Sequence, residues 1–397
     1  MADALLVFNA GSTSLKFAAY AIDDVRALSL TVSGTVEAVD DVVCFVARDG
    51  KGERLAKQAW TAGRLLDHDE ALRQVLAWVR GHLADARIVA AGHRMMAGGP
   101  HHAGPVRLDV QVLKTLAAQS AMEPSHQPFN VRGARTLAAL MPGLTQVACF
   151  DSSFHQTMPE TARTYALPKS VRGAGVRHRG GHGLSYEYVG GRMRGIEPAA
   201  RRVVVAHLGG ASSLCAMLDG RSVETTMGLS GLSGLPMATR CGDIPPDALT
   251  YLLRSRQFDS ASLETMLYER SGLLGLSGMS GDMRALQDSE EPGAILAVGQ
   301  FVYAMTKYVG AYAAVLGGLD ALVFTGGIGE HSHQVRALLC RDLASLGVVL
   351  DEDANRAGGA LISAPASRVS VRVIATDEER VIARHTLALV DGAANGQ

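Results

Sequence analysis

The chain has 397 residues, long enough for two domains and for a core that needs neither disulfides nor metal. Lys and Arg number 38 against 39 Asp and Glu, so the net charge of −1 gives no whole-chain footprint for nucleic acid or an anionic membrane. Hydrophobic residues make up 47% and charged residues 19%, which excludes a disordered chain, and the 44 glycines have no collagen-like period.

In chain order, Leu5–Asn9 is a short β-type run. It stops at Ala10-Gly11-Ser12-Thr13-Ser14 and resumes through Leu15–Ile22, a hairpin pattern. Glu70–Leu83, Leu108–Met122 and Phe129–Leu140 have helical apolar spacing. Thr145–Phe150 is strand-like, and a domain boundary is set near Phe150. Val203–Ala206 and Leu214–Leu218 flank a second small-residue turn, His207–Ser213. Gly209 lies 198 residues after Gly11, half the chain length, which points to a duplicated fold with one phosphate-type loop in each half. Ala294–Leu316 is a long helix and Ala321–Thr325 a strand that enters Gly326-Gly327-Ile328-Gly329. Gln334–Leu346 is helical, Val369–Ala375 a strand and Glu378–Leu389 a terminal helix. Strands alternating with helices give an α/β fold class.

The five cysteines, Cys44, Cys149, Cys215, Cys241 and Cys340, are odd in number and show no CxxC spacing. Free thiols in a reducing cytoplasm are the expectation. The acidic start Met1-Ala2-Asp3 runs directly into a strand, so no signal peptide is expected. Lys307 interrupts the best apolar stretch below the ~18 residues of a membrane span.

Neither a GxxxxGK[ST] loop nor a GxGxxG after a strand is present, so a nucleotide site must use another geometry. In Asn9–Lys16, backbone N–H groups of a Gly/Ser turn can cradle phosphate with Lys16 adding charge, or the turn is an ordinary hairpin. Asp151 at a strand end either orients a reacting group or caps a helix. His178-Arg179-Gly180-Gly181-His182-Gly183 has no acid and no helical spacing for zinc, and reads as an exposed anion-donor cluster. Arg240 and Arg284 stand beside turn residues, where a planar fork pairs with phosphate, carboxylate or a neighbouring Asp. Cys241 has no visible base partner. Gly326–Glu330 lets backbone approach a flat ligand, and Thr376–Glu379 fits a helix cap. Nineteen of the 44 glycines fall between Val171 and Gly281, which places the surplus in the stretch that holds His182, Gly209-Gly210 and Arg240.

Taken together and in order, these segments resemble the acetate kinase family of the actin, heat-shock-ATPase and sugar-kinase superfamily, from Leu5 to Leu389. The stretches that carry the resemblance are NAGSTSLKF (Asn9–Phe17), GHRMMAGG (Gly92–Gly99), HQPFN (His126–Asn130) and DSSFHQTMPETARTYALP (Asp151–Pro168). MATRCGDIPP (Met237–Pro246), SGLLGLSGMSGDMR (Ser271–Arg284), FTGGIGEHS (Phe324–Ser332) and TDEERVIAR (Thr376–Arg384) complete them.

The resemblance implies two duplicated actin-like, ribonuclease H-like α/β domains with ligands in the cleft between them and domain closure on binding. Residues 1–150 would form the first domain, joined by a C-terminal helix at about 380–397, and 151–379 the second, with nucleotide binding and a homodimer interface. It implies ATP or ADP, Mg²⁺ or Mn²⁺, and acetate or another short-chain carboxylate, giving acetyl phosphate; nucleic acid and membrane are not expected partners. By the same resemblance Arg94 would hold the substrate carboxylate, while Arg240 and His182 would stabilise the phosphoryl oxygens. Asn9 and Glu378 would position the metal, Lys16 would contact a phosphate, and Asp151 would orient metal or Arg groups without acting as a base. His207, Leu208, Gly209, Gly210 and Ala211 would face the ATP phosphates. Asp282, Met283 and Arg284 with Gly327, Ile328, Gly329, Glu330 and His331 would form the adenosine pocket.

Six positions depart from the family's usual pattern. Gly181 stands for Phe, Gly231 for Pro and Met96 for Val near the acid; Gly210 stands for Asn in the phosphate loop, His331 for Asn beside adenine, and Gln127 for Asn. These leave acid size and nucleotide preference open, with a propionate or longer-acid kinase as the alternative. A nucleotide-dependent switch ATPase is the remoter alternative, against which Arg94 and the lack of an appended peptide-binding domain both speak.

Overall fold

In the computed structural model the described residues are 2–11, 14–39, 42–61, 67–83, 85–99, 102–124 and 126–394. Ser12 and Thr13 of the first turn, Met1, and residues 395–397 lie outside them. The chain divides into two units, Met1–Ser153 with Asp377–Gln397, and Phe154–Thr376.

In the first unit, strands β1 (Ala2–Ala10), β2 (Ser14–Ile22), β3 (Leu28–Val39), β4 (Val42–Asp49) and β5 (Arg54–Thr61) make an antiparallel meander. Sequence motifs set no element at β3 to β5; β3 alternates apolar and polar residues, and β4 buries Val43, Phe45 and Ala47 on one face. β1 also pairs in parallel with β6 (Ala86–Met95), which pairs in parallel with β8 (Thr145–Phe150). The short β7 (Val106–Arg107) closes that edge. Helix His68–His82 starts on Asp67, whose carboxylate accepts from the N–H groups of Asp69 and Glu70. The expected helix Leu108–Met122 is shorter: it spans Val110–Ala117 and tightens into a 3₁₀ turn, Ala118–Ala121.

The terminal helix Glu378–Ala394 belongs to this first unit. It lies against β6 at Gly92, where a Cβ would stand 2.3 Å from Thr386 Oγ1 and 2.5 Å from an Ile382 methyl. Glycine is required there by space, because even a methyl group would push the helix off the sheet.

In the second unit the strands are β9 (Arg202–Leu208), β10 (Ser212–Leu218), β11 (Arg221–Thr225), β12 (Ala321–Thr325) and β13 (Ser370–Val373). Their order is β11-β10-β9-β12-β13, antiparallel on one side of β9 and parallel on the other. The first sheet contains the same pattern, β3-β2-β1-β6-β8. The β1–β2 turn and the β9–β10 turn therefore occupy equivalent places, as the 198-residue offset expects. Pro292–Leu316 is the core helix of this unit, opened by proline at its first position and closed by Gly317 in the left-handed region (φ 71°). Gln334–Leu346 breaks into His333–Asp342 and a 3₁₀ turn, Ala344–Leu346. All five cysteines are free thiols, and no helix of the described residues is long and apolar enough to cross a membrane.

Two buried histidines make stability acid-sensitive. His93 packs against the Gln146 amide, and His155 is held by Gly181 O and the Ser222 hydroxyl. Burial pushes both imidazoles down to about 4. Between the unfolded value near 6.5 and 4, the unfolded chain takes up protons that the native chain refuses, so stability falls as pH drops. At pH 5 each histidine should cost about 2 kcal/mol relative to pH 7.5. Urea midpoints of wild type and His155→Gln at the two pH values check this; equal pH slopes would remove His155 from the account.

Candidate active site

In the first unit, Asn9 and Arg94 lie near the ends of β1 and β6, and Asp151 follows β8. Parallel pairing of β1, β6 and β8 brings these ends together. Arg94 donates from Nε to Asp151 Oδ2 at 2.8 Å, and its Nη2 lies 2.7 Å from the same oxygen. The Asp151 side chain is 0% exposed and that of Arg94 12%. Burial works against charge on Arg94, but Asp151, followed by Glu378, more than offsets it and the guanidinium stays charged. Asp151 does not cap a regular α-helix; it opens a 3₁₀ segment, Asp151–Thr157, and its carboxylate is spent on Arg94.

Arg94 Nη1 also donates to Asn9 Oδ1 at 3.3 Å. Asn9 Nδ2 donates to Glu378 Oε2 at 3.0 Å and Glu379 Oε1 at 3.3 Å. Glu379 was not among the residues singled out from sequence. Burial raises its carboxyl above the ordinary range, Glu378 adds to the rise, and Lys16 opposes it. Lys16 itself is exposed, on β2 directly across from Asn9. Asn130 braces this group: its Nδ2 donates to Ala10 O at 2.7 Å and its Oδ1 accepts from Met96 N. Gln127, at a position where the sequence departs from the family pattern, donates to Ala97 O and Leu116 O.

In the second unit His182 is buried, with φ 56°, and immediately precedes helix Gly183–Ile196. A left-handed histidine is uncommon and marks stored strain. Its Nδ1 lies 2.8 Å from Ser213 Oγ, and its ring stacks on His207 with centroids 4.1 Å apart. Ser185 Oγ holds His207 Nδ1 at 2.8 Å, and the Tyr186 hydroxyl meets Ser213 Oγ. The expectation of an exposed His178–Gly183 cluster is corrected. His178 is engaged by Met227 O and Ala162 O, and His182 lies beneath the surface. Gly180 makes the difference: at φ 81° it packs on His155, whose ring a Cβ would meet at 2.3 Å.

Three further segments meet in this unit. Parallel pairing sets His207 beside Thr325, and a Cβ on Gly326 (φ 76°) would lie 2.7 Å from Leu208 O, so the His207–Ala211 turn and the Gly326–His331 segment touch. Gly326–His331 is a short helix. Ala238 N donates to Gly210 O at 3.1 Å, which docks the Arg240 segment on the same turn. Arg240 Nη1 donates to Gly231 O at 3.0 Å. Ser332 Oγ donates to Gln287 Oε1, tying Gly326–His331 to helix Met283–Gln287. Not every expected ligand residue can present a side chain. Leu208 and Met283 are core residues, while Glu330 Oε1 accepts from Gly326 N and Thr376 N. Asp282, Arg284, Gly327 and His331 are exposed. The Cys241 thiol, pushed up by burial to about 11, donates to Gly242 O and is no nucleophile.

A profile of the acetokinase family matches residues 4–384. The chain belongs to the acetokinase family. A Rhodopseudomonas palustris (strain TIE-1) protein named acetate kinase is 45% identical over 398 residues, covering 99% of this chain and 100% of that one. Among solved structures, a propionate kinase from Francisella tularensis has a TM-score of 0.87 at 33% identity, covering 97% of this chain and 99% of that one. The acetate kinase of Porphyromonas gingivalis gives 0.83 at 32%, covering 98% and 100%. The acetokinase fold, two actin-like α/β domains, is the fold of this chain.

The buried Arg94–Asp151 pair should dominate local stability. Asp151→Ala strands a buried guanidinium and should cost about 3–5 kcal/mol in urea denaturation. The double variant Arg94→Met/Asp151→Leu should recover most of that. A single variant as stable as wild type would show that the pair is solvated.

Proposed function

We propose that this chain is an acetate kinase, reversibly transferring the γ-phosphoryl group of ATP to acetate to give acetyl phosphate and ADP. The observation that carries the reading is the buried Arg94, held charged by Asp151 in a chain of the acetokinase family. Acetate is ionised at neutral pH, so it attacks phosphorus without a general base. The difficulty is to bring two anions together and to hold the transferring group, which asks for fixed positive charge and positioning.

In this proposal Asp151 fixes the Nε edge of the Arg94 guanidinium, and Arg94 binds the acetate carboxylate. Arg240, steadied by Gly231 O, and His182, steadied by Ser213, stabilise the phosphoryl oxygens. The His207–Ala211 turn and Lys16 receive ATP phosphates. Gly327, Ile328, Gly329 and His331, with Asp282 and Arg284, receive adenosine; Glu330 and Met283 support that pocket from behind.

Mg²⁺ fits the donor set. No cluster of three or more His, Cys, Asp or Glu forms a full metal cage among the described residues. Mg²⁺ does not ask for one, since it keeps waters and takes one or two carboxylates plus substrate phosphates. Glu378 and Glu379, adjacent acids on one Asn9 amide, with Glu379 destabilised as an anion, are such a pair. Held by Glu378 and Glu379, with Asn9 beside them, the ion would offset the negative charge of the phosphates. The same proposal takes the protein as cytoplasmic and as a homodimer joined through residues 151–379, supported by the resemblance alone.

A hydroxamate trap with ATP, Mg²⁺ and acetate should yield acetyl hydroxamate. No product from any two- to four-carbon acid would overturn the reading. Arg240→Ala should lower kcat by about 10²–10³, as loss of one oxyanion donor does; full activity would remove Arg240 from the phosphoryl site. Across an acid panel, kcat/KM should favour acetate over propionate by about tenfold or more. A higher value for propionate would reassign the substrate, with Gly181 as the first residue to restore to Phe.

A further inference from the structure

Within Phe154–Thr376 an open pocket of about 770 Å³ is lined by residues that the reading above gives no role. That volume falls in the range of small-molecule sites. Its apolar walls include Leu167, Leu232, Leu249 and Leu267, and three tyrosines, Tyr165, Tyr308 and Tyr312, add ring faces. Among the described residues it is lined by two acids, Glu224 and Asp243, and by no Lys or Arg.

The polar groups are unevenly satisfied. Asp243 is exposed at the rim and is occupied, accepting from Gly234 N and the Tyr308 hydroxyl. His178 has both ring nitrogens against backbone oxygens, with Nδ1 3.5 Å from Glu224 Oε1. That same Oε1 accepts from Thr225 N, whereas Glu224 Oε2 accepts no hydrogen bond from the described residues. The Tyr312 hydroxyl is buried and also without a hydrogen-bond partner among the described residues. Buried polar groups are usually paired, so the unpaired Tyr312 phenol, beside the part-exposed Glu224 carboxylate, asks for a partner from outside the protein. An ammonium group supplies several donors and a positive charge, and tyrosine faces attract cations.

We propose that this pocket binds a small organic cation, an ammonium on an alkyl or aryl body, with its nitrogen on Glu224 and the Tyr312 hydroxyl and its body against the leucines. An anion would meet two acids, and a neutral hydrocarbon would leave the Tyr312 hydroxyl unpaired. Burial already raises the Glu224 carboxyl above its ordinary range, so the site gains by taking up positive charge. The wall is shared with the candidate active site. Leu229, Ser230, Leu232 and Ser233 line the pocket, while Gly231 between them gives its carbonyl to Arg240. An occupant therefore presses on the loop that steadies Arg240.

The test is isothermal titration of the full chain with 2-phenylethylammonium, against 2-phenylethanol as the uncharged control. The ammonium should bind at least tenfold more tightly than the alcohol. Glu224→Gln should weaken it tenfold or more, and Leu232→Trp, which fills the pocket, should abolish binding. Thermal melts followed by circular dichroism establish that each variant is folded; if Glu224→Gln does not fold, Leu232→Trp decides. No binding to wild type, equal binding of the alcohol, or unchanged binding to folded Leu232→Trp would each overturn the proposal. Binding is read as heat and not as turnover, so failure of the kinase reading would leave this result standing.

Discussion

Much of the first unit depends on one buried pair of charges. Arg94 and Asp151 sit at neighbouring strand ends, nearly or wholly out of water, and neither could stay ionised there alone. Apolar side chains of similar size would stabilise the fold nearly as well. The pair makes sense as a device that fixes a guanidinium at one place and in one orientation. Its hold extends beyond two residues, since Arg94 reaches Asn9, and the Asn9 amide reaches Glu378 and Glu379. Three strand ends and one helix start are thereby referenced to a single carboxylate.

The second unit solves a similar problem without an acid. His182 is held by hydroxyls and by the face of another imidazole, in a backbone conformation that costs energy. That cost is sustained by packing behind it, where Gly180 lies flat on the buried, uncharged His155. The Arg240 loop and the His207–Ala211 turn are joined by one backbone bond, Ala238 to Gly210. Positive and polar groups are thus placed by main-chain contacts, which small residues permit, and the glycine-rich stretch of the sequence is where those contacts fall.

How far this was legible in the sequence differs by feature. The hairpin β1–β2 and its later copy announced themselves through apolar runs broken by small residues, and the repeat at half length carried the topology. Arg94, Asp151 and His182 were legible as members of a family pattern; their burial was not, because burial is decided by β-strand pairing across long separations. Glu379 stayed hidden beside Glu378, since sequence does not show that both adjacent acids at a helix start turn toward Asn9. Glu330 and Met283 read as ligand residues by position, yet one side chain closes a backbone turn and the other fills the core. The strands β3 to β5 carry no chemistry, so motifs alone pass over them.

The terminal helix completes the first unit, and this has a consequence for biosynthesis. A ribosome delivers β1 to β8 early, yet the partners of Asn9 and the helix that covers Gly92 arrive only with residues 377–394. The second unit is emitted whole in between and can fold as it emerges. The first must wait, its sheet uncovered on one side, until translation is almost finished. A chain cut short by a premature stop would therefore lack both the acidic partners of Asn9 and the helix that covers Gly92.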